Sequence, residues 1–200
     1  MDVGANIGYY TLLAARAGAQ VHAFEPDPRN LHYLLRNLRG NRLLDRVTMV
    51  NKAVSDKVGV EAFHQHESLL ESSLCRQLAN GASTTVECTT IDEYCGTDGQ
   101  ADLIKIDIEG AELRALSGMG ELIARSGRGL VMFIECYPAG LKAAGASGEE
   151  LLKWLTSRGF SVKAIDEKTW SLQQLDLINL NSPCLGGESV RAFNLYCSRE

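Results

Sequence analysis

The sequence predicts an α/β fold with a doubly wound, mostly parallel sheet. Three observations carry that expectation. Short β-branched runs alternate with segments whose apolar residues recur at helical spacing. The first run ends in a glycine-containing turn, Gly4-Ala5-Asn6-Ile7-Gly8, that opens a helix. Later, Leu103-Ile104-Lys105-Ile106-Asp107-Ile108 forms a strongly β-prone run, again followed by a helical pattern.

The elements follow in order. Met1-Asp2-Val3-Gly4 begins abruptly, like the end of a strand; either the first strand is very short or the chain is a truncated product. A helix is expected over 9–17, with Gly18 at its left-handed C-terminal cap. Residues 21–24 form the second strand. Asp27 is then a good N-cap, and Pro28 is preorganised for the first helical position. Leu31, Leu34, Leu35 and Leu38 share one face of that helix, which Gly40 ends. Residues 47–50 are the third strand.

Residues 57–90 break the alternation. Val58, Val60 and Ala62 alternate with Gly59, Glu61 and Phe63, and 84–90 is rich in Thr and Val. This predicts a β-rich insertion of two strands around a polar loop. The core resumes with the strand at 103–108 and a single helix over 111–124 that turns Leu113, Leu116, Leu122 and Ile123 inward. A strand at 130–135 follows, then a small-residue loop over 139–147. Ser147-Gly148-Glu149-Glu150 matches a capping box and opens a helix carrying Leu151, Leu152, Trp154 and Leu155. Strands at 161–165 and 192–197 close the pattern, joined by a long loop at about 171–190. No repeat or interdomain linker interrupts the 200 residues, so one domain over 1–200 is expected.

Bulk properties narrow the function classes. The hydrophobic fraction of 45% and charged fraction of 22% suit a globular chain. A net charge of -5 argues against nucleic acid as the main partner, since duplex binders that neutralise phosphate are usually basic. No signal peptide is visible and no apolar run reaches the ~20 residues that span a bilayer, so no membrane partner is expected. The six cysteines, at 75, 88, 95, 136, 184 and 197, form no C-x-x-C pair and no zinc spacing. They are read as reduced, largely buried thiols, which places the chain in a cytoplasmic compartment.

The glycine turn departs from the dinucleotide fingerprint G-x-G-x-x-G. Asn6, tolerant of the left-handed region, stands in place of the second glycine, and Tyr9 takes the third position. Glu25 ends the second strand about twenty residues later, where a carboxylate can accept both hydroxyls of an adenosine ribose. Alternatively it faces solvent or caps the helix at Asp27. On the strand at 103–108 side chains alternate, so Lys105, Asp107 and Glu109 share a face. Charges on a central strand are costly unless paired or near a cavity. Two readings stand: a structural Lys105–Asp107 pair with Glu109 capping the next helix, or Asp107 and Glu109 lining a ligand site at the carboxyl end of the sheet. Glu135 and Tyr137 end the next strand and either join that site or lie at the surface. His64 and His66 are read as exposed loop residues, since no third metal ligand is evident; no metal site is expected.

Together these segments resemble the successive motifs of FkbM-type methyltransferases: Asp2-Val3-Gly4-Ala5-Asn6-Ile7-Gly8, Phe24-Glu25-Pro26, Asn51-Lys52-Ala53-Val54-Ser55-Asp56, Thr90-Ile91-Asp92 and Lys105-Ile106-Asp107-Ile108-Glu109-Gly110-Ala111-Glu112. The match runs in order from residue 2 to about 165. The resemblance implies a seven-stranded class I methyltransferase (Rossmann-like) sheet and S-adenosylmethionine as methyl donor. It implies that Asp2, Gly4, Asn6 and Gly8 shape the methionine end of the site, that Glu25 takes the ribose, and that Asn51 and Ala53 border the adenine. Asp107 and Glu109 are implied to lie near the transferred methyl. The implied acceptor is a hydroxyl on a small molecule or sugar, with Asp107 the first candidate to orient or deprotonate it and Glu109 and His64 behind it. Acceptor-facing residues are expected in the 57–90 insertion and the 138–148 loop. Two other readings stand beside this one. The turn and Glu25 alone would suit an NAD-linked oxidoreductase, which the missing third glycine opposes. The abrupt start would suit a non-catalytic nucleoside-binding remnant.

Overall fold

A computed structural model describes residues 1–65, 73–75, 82–166, 168–175 and 192–199. The order is β1 (Asp2–Val3), α1 (Tyr9–Arg16), β2 (Val21–Phe24), α2 (Pro28–Asn41), β3 (Val47–Val50), β4 (Ala53–Val54), β5 (Gly59–Gln65), β6 (Ala82–Thr89), α3 (Ile91–Cys95), β7 (Leu103–Ile106), α4 (Glu112–Ser117), α5 (Gly120–Ser126), β8 (Val131–Cys136), α6 (Pro138–Ala143), α7 (Gly148–Thr156), β9 (Ser161–Asp166), β10 (Ser171–Gln174) and β11 (Phe193–Ser198).

Among the described residues the main sheet has eight strands in the order β10-β9-β11-β8-β7-β1-β2-β3. β1 lies between β7 and β2 and is parallel to both, as β2 is to β3 and β7 to β8. β11 runs antiparallel to β8 and β9. The two-residue β1 is thus central. Val3 is buried between helices together with Phe24, Ile104, Ile106, Met132 and Ile134.

Six details differ from the sequence expectation, two of them short: α2 runs past Gly40 to Asn41 and closes on Arg42 at φ 59, and α3 fills a stretch where no helix was expected. The eighth strand, β10, pairs antiparallel with β9 in a stretch read as loop. Its four residues are all exposed, so they carry no apolar alternation, and the strand exists through backbone pairing to a neighbouring edge. The helix expected over 111–124 is two helices, broken at Gly118-Met119. There the Asp92 carboxylate accepts from the amides of Glu121 (3.1 Å) and Leu122 (2.7 Å) and so caps α5 from a distant point of the chain. The loop expected over 139–147 begins with α6, which Pro138 starts at a position that needs no amide donor. The insertion begins earlier than expected, because β4 joins β5 and β6 in a separate sheet of order β4-β6-β5. Arg114 on α4 ties this small sheet to the core: its guanidinium donates to Asp56 Oδ1 (2.7 Å), Ser55 Oγ (2.8 Å) and Glu61 Oε1 (2.7 Å).

Candidate active site

The turn after β1 is folded by its neighbours. The amides of Gly4 and Ala5 both donate to Phe24 O, at 3.0 and 2.9 Å. Gly4 has φ +80, and a Cβ there would lie 1.9 Å from Asp107 O. Only glycine lets the β1 turn and the end of β7 approach this closely. Asn6 adopts φ 52, in the left-handed region. Gly8 caps the start of α1 and packs against Leu34. Asp2 is buried behind the turn, where Thr11 Oγ1 donates to its Oδ2 at 2.5 Å. Lys105 Nζ stands 3.6 Å from Asp2 Oδ1 and 3.2 Å from Asp107 Oδ2, and donates to Gly4 O at 3.1 Å. One cation therefore joins both strand ends and the turn.

Glu25 leaves the end of β2 and is 5% exposed. Its Oε2 accepts from Asn6 N at 2.9 Å and its Oε1 from Asp27 N at 2.8 Å. The Asn30 side chain also hydrogen-bonds this carboxylate, which lines the cavity. Burial raises its pKa to about 7, against the pull of those two amide bonds. Asp27, fully buried, caps α2 through Arg29 N at 2.9 Å and pairs with the Arg29 side chain, which fixes the strand-to-helix corner.

At the end of β7, Asp107 and Glu109 meet Glu135 from β8, with one oxygen of each within 4.8 Å of the others. That spacing is also close enough for one cation. Glu109 has φ 57 and Gly110 φ 107. The Glu109-Gly110 turn presses on α6, since a Cβ on Gly110 would stand 2.4 Å from Gly140 C. Beneath them Glu112, with no exposure, accepts from Gly110 N at 2.9 Å and Ile108 N at 3.3 Å. So Glu112, rather than Glu109, organises the start of the helix. Burial raises the Glu112 pKa to about 7. Burial first, then the charges of Asp107, Glu109 and Glu112, raise that of Glu135 to about 9. Near neutral pH Glu135 holds a proton in a crowd of carboxylates.

These groups surround one cavity of about 360 Å³. Gly4, Asn6, Glu25, Ala53, Asp107 and Glu109 line it. Asp2 and Gly8 stand behind the turn that forms its floor. Asn51 is exposed and off the wall, because the chain turns after β3 so that Lys52 and Ala53 face inward instead. Glu135 lines the cavity, whereas Tyr137 is buried beside it against Gly140. His64 lies off the wall and pairs with Ser73 through its backbone; His66 lies outside the described residues. Sequence reasoning missed Asn30, Tyr9 and Tyr10 on the wall and did not single out Phe63, Ser73 and Leu74 within the 57–90 insertion it expected to face the acceptor. Asn30 carried a signal: it shares the helical face of Leu34 and Leu38, where a polar side chain needs a buried role.

Comparison with known proteins now bears on this cavity. The model of the methyltransferase FkbM domain matches residues 2–162. The chain belongs to that family. It is 31% identical over 147 residues to 2-O-methyltransferase NoeI of Sinorhizobium fredii, covering 63% of this chain and 59% of that protein. It is 29% identical over 120 residues to hexuronic acid methyltransferase AglP of Haloferax volcanii, covering 59% and 48%. The chain thus spans about half the length of these curated relatives. Among solved structures, methyltransferase FkbM from Methylobacillus flagellatus superposes with a TM-score of 0.59 at 18% identity, covering 98% of this chain and 42% of that one. This likeness shows the fold, the doubly wound sheet of class I methyltransferases. No helix among the described residues is long and apolar enough to cross a membrane.

Proposed function

We propose that this FkbM-family chain is an S-adenosylmethionine-dependent O-methyltransferase acting on a hydroxyl of a small molecule or sugar. The observation that carries the reading is the acid-lined cavity above the glycine turn, with Glu25 buried in its wall. The cavity faces Glu25, Asp107, Glu109 and Glu135 against Lys52 and Lys105. Lys105 is already engaged by Asp2 and Asp107. The NAD-linked alternative loses ground on the glycine pattern, where Tyr9 stands at the third glycine position.

The residues fit the donor's parts. Glu25 and Asn30 would hold the ribose side, Ala53 and Val54 the base, and the Gly4–Asn6 turn the methionine end. S-adenosylmethionine supplies a methyl group on a sulfonium cation. The chain's own work is to orient an acceptor hydroxyl and receive its proton. Asp107, partly exposed in the cavity and held by Lys105, is the base in this reading. Glu109 shares the acceptor end. Holding both reactants in place supplies most of the rate in such a displacement. One domain over 1–200, a cytoplasmic location and a small-molecule or sugar acceptor rather than nucleic acid belong to the same proposal.

Titration calorimetry with S-adenosylhomocysteine, with NADH as the control ligand, tests it. Saturable binding of the thioether and none of NADH is expected. Folded protein that binds NADH, or neither ligand, would remove the proposal.

A further inference from the structure

The inserted sheet touches the acidic turn at Ser73. The Ser73 backbone pairs with His64 of β5 in both directions, His64 N to Ser73 O at 2.8 Å and Ser73 N to His64 O at 3.0 Å. Its hydroxyl, in a residue 1% exposed, accepts from Cys75 N at 3.1 Å and donates to Glu109 O at 3.0 Å. Ser73 and Leu74 also form part of the cavity wall.

Glu109 is where this contact acts. A residue with a Cβ at φ 57 is strained, and such a conformation persists only when its surroundings over-determine it. Gly140 packs on the Glu109 carbonyl from one side, close enough that a Cβ there would stand 2.9 Å away. Glu112 collects the amides of Ile108 and Gly110, on either side of Glu109. Ser73 reaches the same carbonyl from the insertion.

We propose that Ser73 is a positioning residue, whose hydroxyl holds the Glu109 carbonyl so that the Glu109 carboxylate joins Asp107 and Glu135 at the acceptor end of the cavity. What that end does rests on the methyltransferase reading; the hold on Glu109 does not. Released, Glu109 relaxes toward negative φ and its side chain turns to a new direction. The insertion thereby sets the geometry of the acceptor end, while Glu25 and Asn30 at the nucleoside end are left alone.

Thr and Val at position 73 have nearly the same shape and differ in the hydroxyl, so Ser73→Thr and Ser73→Val separate the hydrogen bond from bulk; Ser73→Ala removes both. Two readouts are taken on each protein. One is amide exchange over 108–111. The other is the carboxyl carbon resonance of Glu109, assigned by its loss in Glu109→Gln. Exchange about tenfold faster in the Ala and Val proteins, with a displaced Glu109 resonance, and wild-type behaviour in the Thr protein, is the expected result. Equal exchange and an unmoved resonance in the Thr and Val proteins would overturn the proposal. S-adenosylhomocysteine calorimetry on the same wild-type sample keeps the two ideas apart. Absent binding there counts against the methyltransferase reading, whereas the exchange and resonance data alone decide the hold.

Discussion

Replacing Glu112 by Gln should flatten the pH dependence of stability. Glu112 is fully buried; one oxygen takes two amides, and Oε2 has no hydrogen-bond partner among the described residues. Burial lifts its pKa from the ordinary 4.5 to about 7. Between those values the unfolded chain has released the proton and the folded chain still holds it. Stability is therefore full below about 4.5, falls as pH rises toward 7, and is level above it. The gap between the two pKa values corresponds to an upper bound of about 3 kcal/mol. Gln keeps the acceptor for Ile108 N and Gly110 N and carries no charge at any pH. At pH 5 the two proteins should melt within about 2–3 °C of each other. At pH 8.5 the Gln protein should melt higher by up to about 6–12 °C, using roughly 2–4 °C per kcal/mol for a chain of this size. Thermal melts followed by circular dichroism at pH 5, 6, 7 and 8.5 measure this. A constant offset across all four, or a Gln protein less stable at pH 8.5 than at pH 5 by the wild-type margin, would refute the argument.

Three more outcomes follow from the cavity. Gly4→Ala should cost about 2–4 kcal/mol by denaturant unfolding, because its Cβ meets Asp107 O and its φ is positive, and the folded fraction should lose S-adenosylhomocysteine binding. Glu25→Gln should weaken that binding about 10–100-fold by calorimetry, since one of its two amide acceptors becomes a donor facing a donor; an unchanged affinity would place the ribose elsewhere. Asp107→Asn should keep binding within about tenfold while methyl transfer to a glycoside panel, followed with tritiated S-adenosylmethionine, drops about 10²–10⁴-fold.

Much of the site was legible where local chemistry specifies it. Asn6 at φ 52 and Gly4 at φ +80 follow from a turn built of residues that tolerate positive φ. Asp27 and Pro28 announce α2, whereas α3, which Thr90 caps by accepting from Glu93 N, was not expected. Lys105 and Asp107 pair, as their shared strand face implied. Glu135 was left between cavity and surface, because its place depends on β8 lying beside β7, and Asn51 was put on the wall because a motif does not say which way the chain turns after a strand. The break between α4 and α5 was invisible because its cap, Asp92, is supplied by α3.

The sequence by itself determined the main strands, the helices α1, α2 and α7, the turn that follows β1 and the acid that ends β2. These depend on residues within a few positions of one another, whose periodicity and backbone preferences act locally. The tertiary structure alone decided what meets across the sheet: Gly4 against Asp107, one lysine shared by two strand ends, Glu112 beneath the Glu109 turn, and Ser73 reaching that turn from the insertion. Those contacts join residues tens of positions apart, and only the order in which the strands pair brings them within hydrogen-bonding distance.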